Sequence, residues 1–253
     1  MRALHATVRI RRAITAMLVA GLLIAGAIWI AARDDRALVT PSCGGQTVAG
    51  IDVSYHQDRV DWARVRRAGI RFAFIRVSDG VTFADPKFAQ HWIEADYAHV
   101  LRGAYQYFRP AENPIAQADL MIAALARDRG ELPPAIDVEE TGGKRPAQVA
   151  AAVRAWVERV RSKLGVEPIV YVSPAFWRDS VGSAELSNLP LWIAHYETAC
   201  PRVPTPWSHW TFWQHSKVGR VPGIRGNVDL NVFAGTIDEL RGRYGTSIVG
   251  NVR

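Results

Sequence analysis

The sequence predicts an α/β fold closed into a barrel. Three observations predict it. Short apolar runs alternate with segments of helical periodicity, eight such runs fall between residues 49 and 231, and no nucleotide-binding turn interrupts them. Repeated strand–helix units build a parallel sheet, and eight strands suffice to close one. An open doubly wound sheet is the competing architecture. It finds no support in a Gly-x-Gly-x-x-Gly turn or a phosphate loop, because neither occurs.

In chain order, candidate strands are 49–54, 71–77, 102–108 and 134–139, then 168–173, 190–195, 209–215 and 227–231. Between the first five lie Asp61–Ala68, Pro86–Ala98, Pro114–Arg129 and Pro146–Leu164, whose apolar residues recur at three- and four-residue spacing. Pro86, Pro114 and Pro146 stand near helix starts, where a missing N–H costs little. Beyond residue 173 the helical segments shrink and strands crowd together.

The barrel has a leader. Residues 1–12 carry Arg2, Arg9, Arg11 and Arg12 and no acid, a basic cytoplasmic flank. Residues 13–32 carry no charge, and twenty residues at helical rise span roughly 30 Å, about one bilayer core. A basic flank before an apolar run directs export of the downstream chain, with the run as an uncleaved membrane anchor or, alternatively, a cleaved signal peptide. Residues 33–47, with Pro41 and Gly44-Gly45, read as a tether, and residues 241–253 as a tail. The location expected for the domain is therefore outside the cytoplasmic membrane, periplasmic or extracellular.

Charge and cysteine content exclude several classes. The 253 residues carry 31 Lys+Arg and 24 Asp+Glu, a net charge of +7 that hints at nucleic acid. Removing residues 1–32 takes away four arginines and no acid, leaving +3, so the excess is largely a topology signal and no nucleic-acid partner is expected. Two cysteines, Cys43 and Cys200, exclude a disulfide-dense scaffold and a four-thiolate zinc site. In an oxidising compartment they could pair; two free thiols are equally allowed. No His-Glu-x-x-His and no Gly-x-Ser-x-Gly occurs, so neither a metal, a cofactor nor a serine nucleophile is expected.

The chemistry concentrates in carboxylates. Pro134-Ala135-Ile136-Asp137-Val138-Glu139 reads as a short strand ending in acids, with Asp137 and Glu139 on one face. C-terminal strand ends line the mouth of such a barrel, and two close carboxylates push one pKa upward. A solvated acidic loop is the ordinary fate of such residues. Asp52 in Gly50-Ile51-Asp52-Val53-Ser54 and Asp229 in Asn227-Val228-Asp229-Leu230-Asn231 are lone acids in apolar strands, which need a partner or a function. First and last strands become neighbours on closure, so all four acids could converge. Tyr105, Tyr107, Tyr171 and Trp192 fall in strands whose rings could stack on sugar faces, although many of the nine tryptophans and eight phenylalanines must build core.

Taken in order, these stretches resemble glycoside hydrolase family 25, the Chalaropsis-type lysozymes. The resemblance runs over about residues 48–235. It is carried by Gly50–Ser54 with Gln57 and Asp61-Trp62, Thr82–Phe88, Gly103–Pro110, Asp137-Val138-Glu139 and Ile169–Ser173, then Leu191–Ala194, Trp213-Gln214 and Val221–Ile224 leading into Asn227–Asn231. It implies a modified TIM-like (β/α) barrel over residues 48–240, with five strand–helix units followed by strands with little helix. It also implies hydrolysis of the N-acetylmuramic acid–N-acetylglucosamine bond of peptidoglycan by a monomer. By the same resemblance Glu139 is the general acid, Asp137 assists, and Asp52 and Asp229 complete the acidic cleft, with Gln214 among the substrate contacts. Carboxylates about 5–5.5 Å apart suit retention and roughly 6.5–9.5 Å inversion, but substrate-assisted families escape that rule. Arg76-Val77-Ser78-Asp79-Gly80 departs from the family's usual Lys-Ala-Thr-Glu-Gly, so Asp79 is expected as a secondary cleft acid. Two other functions stay open at this point: a non-catalytic peptidoglycan-binding module, and a glycosidase acting on another N-acetylated polymer such as chitin.

Overall fold

The structure, a computed structural model, describes residues 40–245. The basic flank 1–12 and apolar segment 13–32 lie outside the described residues, with most of the tether and the last part of the tail. Among the described residues no helix is long and apolar enough to cross a membrane.

The strands in chain order are β1 (Thr47–Val53), β2 (Phe72–Asp79), β3 (Phe83–Ala84), β4 (Leu101–Tyr107), β5 (Ala135–Asp137), β6 (Ile169–Val172), β7 (Leu191–Ala194), β8 (Phe212–Gly219) and β9 (Val228–Ala234). All except β3 form a closed ring, because β1 pairs with both β2 and β9. β3 folds back antiparallel on the end of β2. Neighbours in the ring run parallel apart from β9, which is antiparallel to β8 and to β1. Helices α1 (Trp62–Arg67), α2 (Phe88–Tyr97), α3 (Pro114–Ala124) and α4 (Pro146–Leu164) cover the outside. Past β6 the helical pieces are short, at Pro174–Phe176, Trp177–Val181, Ala184–Leu186, Ile237–Leu240 and Arg241–Gly245. This is a modified TIM-like barrel with five strand–helix units followed by strands with little helix.

Local chemistry sets the helix ends. Asn113 accepts from the N–H groups of Ile115 and Ala116, and Pro114 follows at the first position of α3. α4 starts at Pro146 and stops at Gly165, whose φ of 67° suits a residue without a β-carbon. Its stripe Val149, Val153, Trp156, Val160 and Leu164 is buried against the barrel. Helical periodicity predicts α3 through Arg129, but the helix ends at Ala124. The chain turns there instead and brings Asp128 to Arg102 (2.7 Å) and to the indole N–H of Trp92 (2.9 Å). β8 extends four residues beyond the expected strand, to Gly219. Its last part pairs with β9 through two register shifts and carries polar His215, Ser216 and Lys217, so no apolar run announces it.

Aromatic rings fill the barrel. Phe72, Phe74, Trp192, Phe212 and Phe233 are all buried, with Phe74 stacked on Trp192 at 4.3 Å. Each large buried side chain contributes about 1.5–3 kcal/mol. Leu240, and Tyr244 from the tail, join this cluster. Gly103 makes room for it, since a β-carbon there would lie 2.5 Å from the Phe74 ring. Gly103→Ala is therefore expected to cost about 1–3 kcal/mol through overpacking, lowering the melting temperature by roughly 2–4 °C per kcal/mol. An unchanged thermal unfolding curve would contradict this packing of the interior.

Cys43 and Cys200 form a disulfide across 157 residues of chain, tying the segment before β1 to the loop after β7. Thr47 adds a hydrogen bond to the Pro41 carbonyl at 3.1 Å. Closing so long a loop restricts the unfolded chain, so Cys43→Ser/Cys200→Ser is expected to lose about 2–5 kcal/mol. Denaturant titration checks the loss, and alkylation without reductant should label no thiol in protein folded under oxidising conditions.

Candidate active site

Four acids meet at the C-terminal mouth of the barrel. Asp52 near the end of β1 is the direct partner of Asp229 in β9. Directly opposed residues of antiparallel strands hold their β-carbons about 4.5–5.5 Å apart, so the two carboxyls are forced together. The two carboxyls are close enough to interact directly. Burial first, and the Asp229 charge second, push the Asp52 carboxyl well above the usual carboxylate range. Burial raises Asp229 as well. The antiparallel direction of β9 decides this meeting: Asp229 lies near the start of its strand, and a parallel β9 would place it at the opposite end of the barrel.

Asp52 is held by amides. Gln214 and Asn231 each donate to its Oδ2 at 2.8 Å. Gln214 in turn accepts from the hydroxyls of Tyr171 (2.8 Å) and Tyr196, and Asn231 accepts from the Trp192 indole at 2.8 Å. Gln214 is thus a positioning residue with its amide already engaged. Trp192 is only 1% exposed and lies edge-on to Tyr105 and Tyr171, so it forms the floor beneath the cleft. Burial pushes Tyr196 up to about 12.

Strand register places the central pair. Asp79, Tyr107, Asp137 and Tyr171 stand in one row across β2, β4, β5 and β6. Asp137 is 6% exposed, and its Oδ1 has no hydrogen-bond partner. Burial, then the charges of Glu139 and Asp52, raise its carboxyl well above the usual range, against the pull of Arg76. Val138 turns into the outer core and Glu139 is exposed two residues beyond Asp137. Tyr107 is pushed up to about 12 by burial and by the Asp137 and Glu139 charges.

Asp79 reaches this row through an irregularity. The alternation Phe72, Phe74, Arg76 would send Ser78 inward and Asp79 outward. A register shift between Arg76 and Ser78 reverses the phase. Ser78 then bonds Gln106 (2.7 Å), which faces the Trp156 indole of α4, and Asp79 turns to the mouth. There its carboxylate grips Arg109 with two bonds (2.5 and 2.8 Å). Arg109 also pairs with Glu140 at 2.5 Å and lies 4.6 Å over the Tyr107 ring. The Asp79–Arg109–Glu140 chain holds the segment carrying Glu139 against the ends of β2 and β4. Arg109→Ala is expected to lower kcat by about tenfold, the scale of one lost charge-assisted bond, with little change in KM. Arg109→Lys should recover part of the loss; equal loss in kcat and KM would contradict a positioning role.

The sequence pattern did not single out Arg76, Asp85, Arg109, Glu140, Tyr196 or Asn231. Arg76 sits in a buried strand, its Nε bonded to Asp85 at 3.0 Å and its Nη2 without a partner. Its guanidinium lies 5.0 Å from the Tyr55 ring centre and 5.7 Å from that of Phe83, both rings half exposed at the rim. The signal that could have found it is the one that marks Asp52, a charge isolated in an apolar strand.

Comparison with known proteins decides the family. The model of the glycosyl hydrolases family 25 matches residues 51–224. The chain belongs to glycosyl hydrolase family 25. It is 32% identical over 222 residues to lysozyme M1 of Streptomyces globisporus, covering 83% of this chain and 75% of that one. The protein YegX of Escherichia coli O6:H1 is 39% identical over 201 residues, 78% of this chain and 73% of YegX. The crystal structure of the bacterial lysozyme from Streptomyces coelicolor superposes with a TM-score of 0.73 at 29% identity, covering 79% of this chain and 98% of the other. This family 25 chain is accordingly a glycoside hydrolase, and its acids lie where the barrel places a catalytic mouth.

Proposed function

We propose that this family 25 enzyme is a peptidoglycan hydrolase that cleaves the β-1,4 bond between N-acetylmuramic acid and N-acetylglucosamine. The observation that carries the reading is the acid pair at the end of β5: a buried Asp137 with an unpartnered Oδ1 beside an exposed Glu139. In this reading Glu139 protonates the leaving glycosidic oxygen. Asp137 offers its free oxygen to the acetamido N–H or to the cationic transition state that develops on the sugar. Asp52, fixed by Gln214 and Asn231, and Asp229 complete the acidic cleft. Tyr105, Tyr107 and Tyr171 present ring edges and hydroxyls to the sugar, with Trp192 supporting them from below.

The leader fits the substrate. The peptidoglycan polymer lies outside the cytoplasmic membrane. Residues 1–32 are read as an export segment, retained as an anchor or removed, and the Cys43–Cys200 disulfide suits an oxidising compartment. The domain is read as a monomer.

Digestion of purified peptidoglycan, with mass analysis of the new reducing ends, tests the assignment. Reducing muramic acid is the expected product. Reducing glucosamine would identify a different bond, and cleavage of chitin in preference would identify a different polymer. Binding without release of ends would leave a non-catalytic module.

A further inference from the structure

The acidic mouth creates a problem for one part of a peptidoglycan strand. Asp52, Asp137, Glu139 and Asp229 suit an uncharged glycan, but each muramic acid carries a peptide stem with free carboxylates. Like charges repel strongly where water is partly excluded, so a stem must leave the cleft over its rim. A groove of about 540 Å³ opens at that rim between the loop after β1 and the β8–β9 turn.

Its walls are locked together. The Asp61 N–H donates to the Gly223 carbonyl at 2.8 Å, Val60 pairs with Ile224, and Gln57 donates to the Asn227 carbonyl at 3.3 Å. Gly223 has φ of 101°, and a β-carbon there would lie 2.5 Å from the Asp61 carbonyl oxygen, so the walls touch only because it is glycine. The lining is basic, with Arg59, Arg64 and Arg225 around it. Arg59 and Arg225 are exposed, and both act on Asp58. The two acids in the lining are already engaged: Asp58 pairs with Lys87 at 2.7 Å, and Asp61 caps α1 through the Arg64 N–H at 2.9 Å. His56 belongs to the groove and lies within electrostatic reach of Asp229, so groove and cleft adjoin.

We propose that this groove binds the carboxylates of the peptide stem while the glycan lies in the acidic cleft. The inference rests on the peptidoglycan reading above, and the test separates the two. Uncrosslinked glycan strands with intact stems, and the same strands stripped of stems by an amidase, are titrated against the full chain in a Glu139→Gln background. Arg59→Gln/Arg225→Gln should weaken binding of stem-bearing strands by about three- to tenfold, the scale of two exposed charge contacts. The weakening should shrink at high salt and be absent for stripped strands. Arg178→Gln/Arg241→Gln, which removes the same charge outside the groove, should change neither. Equal weakening on both strand types, or none on either, overturns the groove. Binding that shows the contrast, with no turnover by the unmutated chain, overturns the hydrolase reading alone.

Discussion

Glu139→Gln is expected to lower kcat on peptidoglycan by roughly 10²–10⁴-fold, the usual contribution of a positioned general acid. The substitution keeps the size and polarity of an exposed side chain and removes only its proton-donating capacity. Binding should therefore survive, and so should the fold. Steady-state release of reducing ends, with strand binding measured in parallel, reads both. Full activity in this variant would sink the assignment of Glu139. Loss of binding together with turnover would instead place Glu139 in substrate recognition.

Asp137→Asn is expected to do two opposite things. Activity should fall by a comparable factor, because an amide cannot give up a proton and develop negative charge opposite a cationic transition state. Stability at neutral pH should rise. The Asp137 carboxyl is buried, one of its oxygens is unpartnered, and its folded-state pKa is raised. A raised carboxyl is protonated in both states at low pH and costs nothing there. Above about pH 4 the unfolded chain releases the proton while the fold retains it, so stability falls as pH rises toward the folded pKa. Asn removes that dependence. The gain near pH 7 is about 1–3 kcal/mol, the range for relieving a poorly satisfied buried polar group, and it should vanish below pH 4. Thermal unfolding of both proteins at pH 3.5 and 7 checks the sign. A variant less stable at pH 7 would mean that Asp137 is a structural acid rather than one held ready for substrate.

The alternation of strands and helices was legible because each helix buries a stripe of apolar residues and the barrel strands are largely apolar on both faces. Val149 to Leu164 in α4 and Phe72 to Val77 in β2 show the two patterns plainly. The end of β8 was not legible, because a ribbon paired only at one edge and facing water needs no apolar run. The acids were found because a lone carboxylate in an apolar strand is costly and therefore conspicuous. Asp79 and Arg109 were harder. Each is an ordinary charge near a strand end, and their pairing depends on chain segments 30 residues apart.

The linear pattern of residues determined the barrel, the order of its units and the acids at strand ends, because periodicity, burial cost and charge are local properties. The folded chain decided which acids touch. The antiparallel run of β9 sets Asp229 against Asp52, and one register shift in β2 turns Asp79 toward Arg109. Strand direction and bulges are settled by closure of the whole ring, where every backbone group must find a partner on its neighbour. No window of sequence contains that constraint.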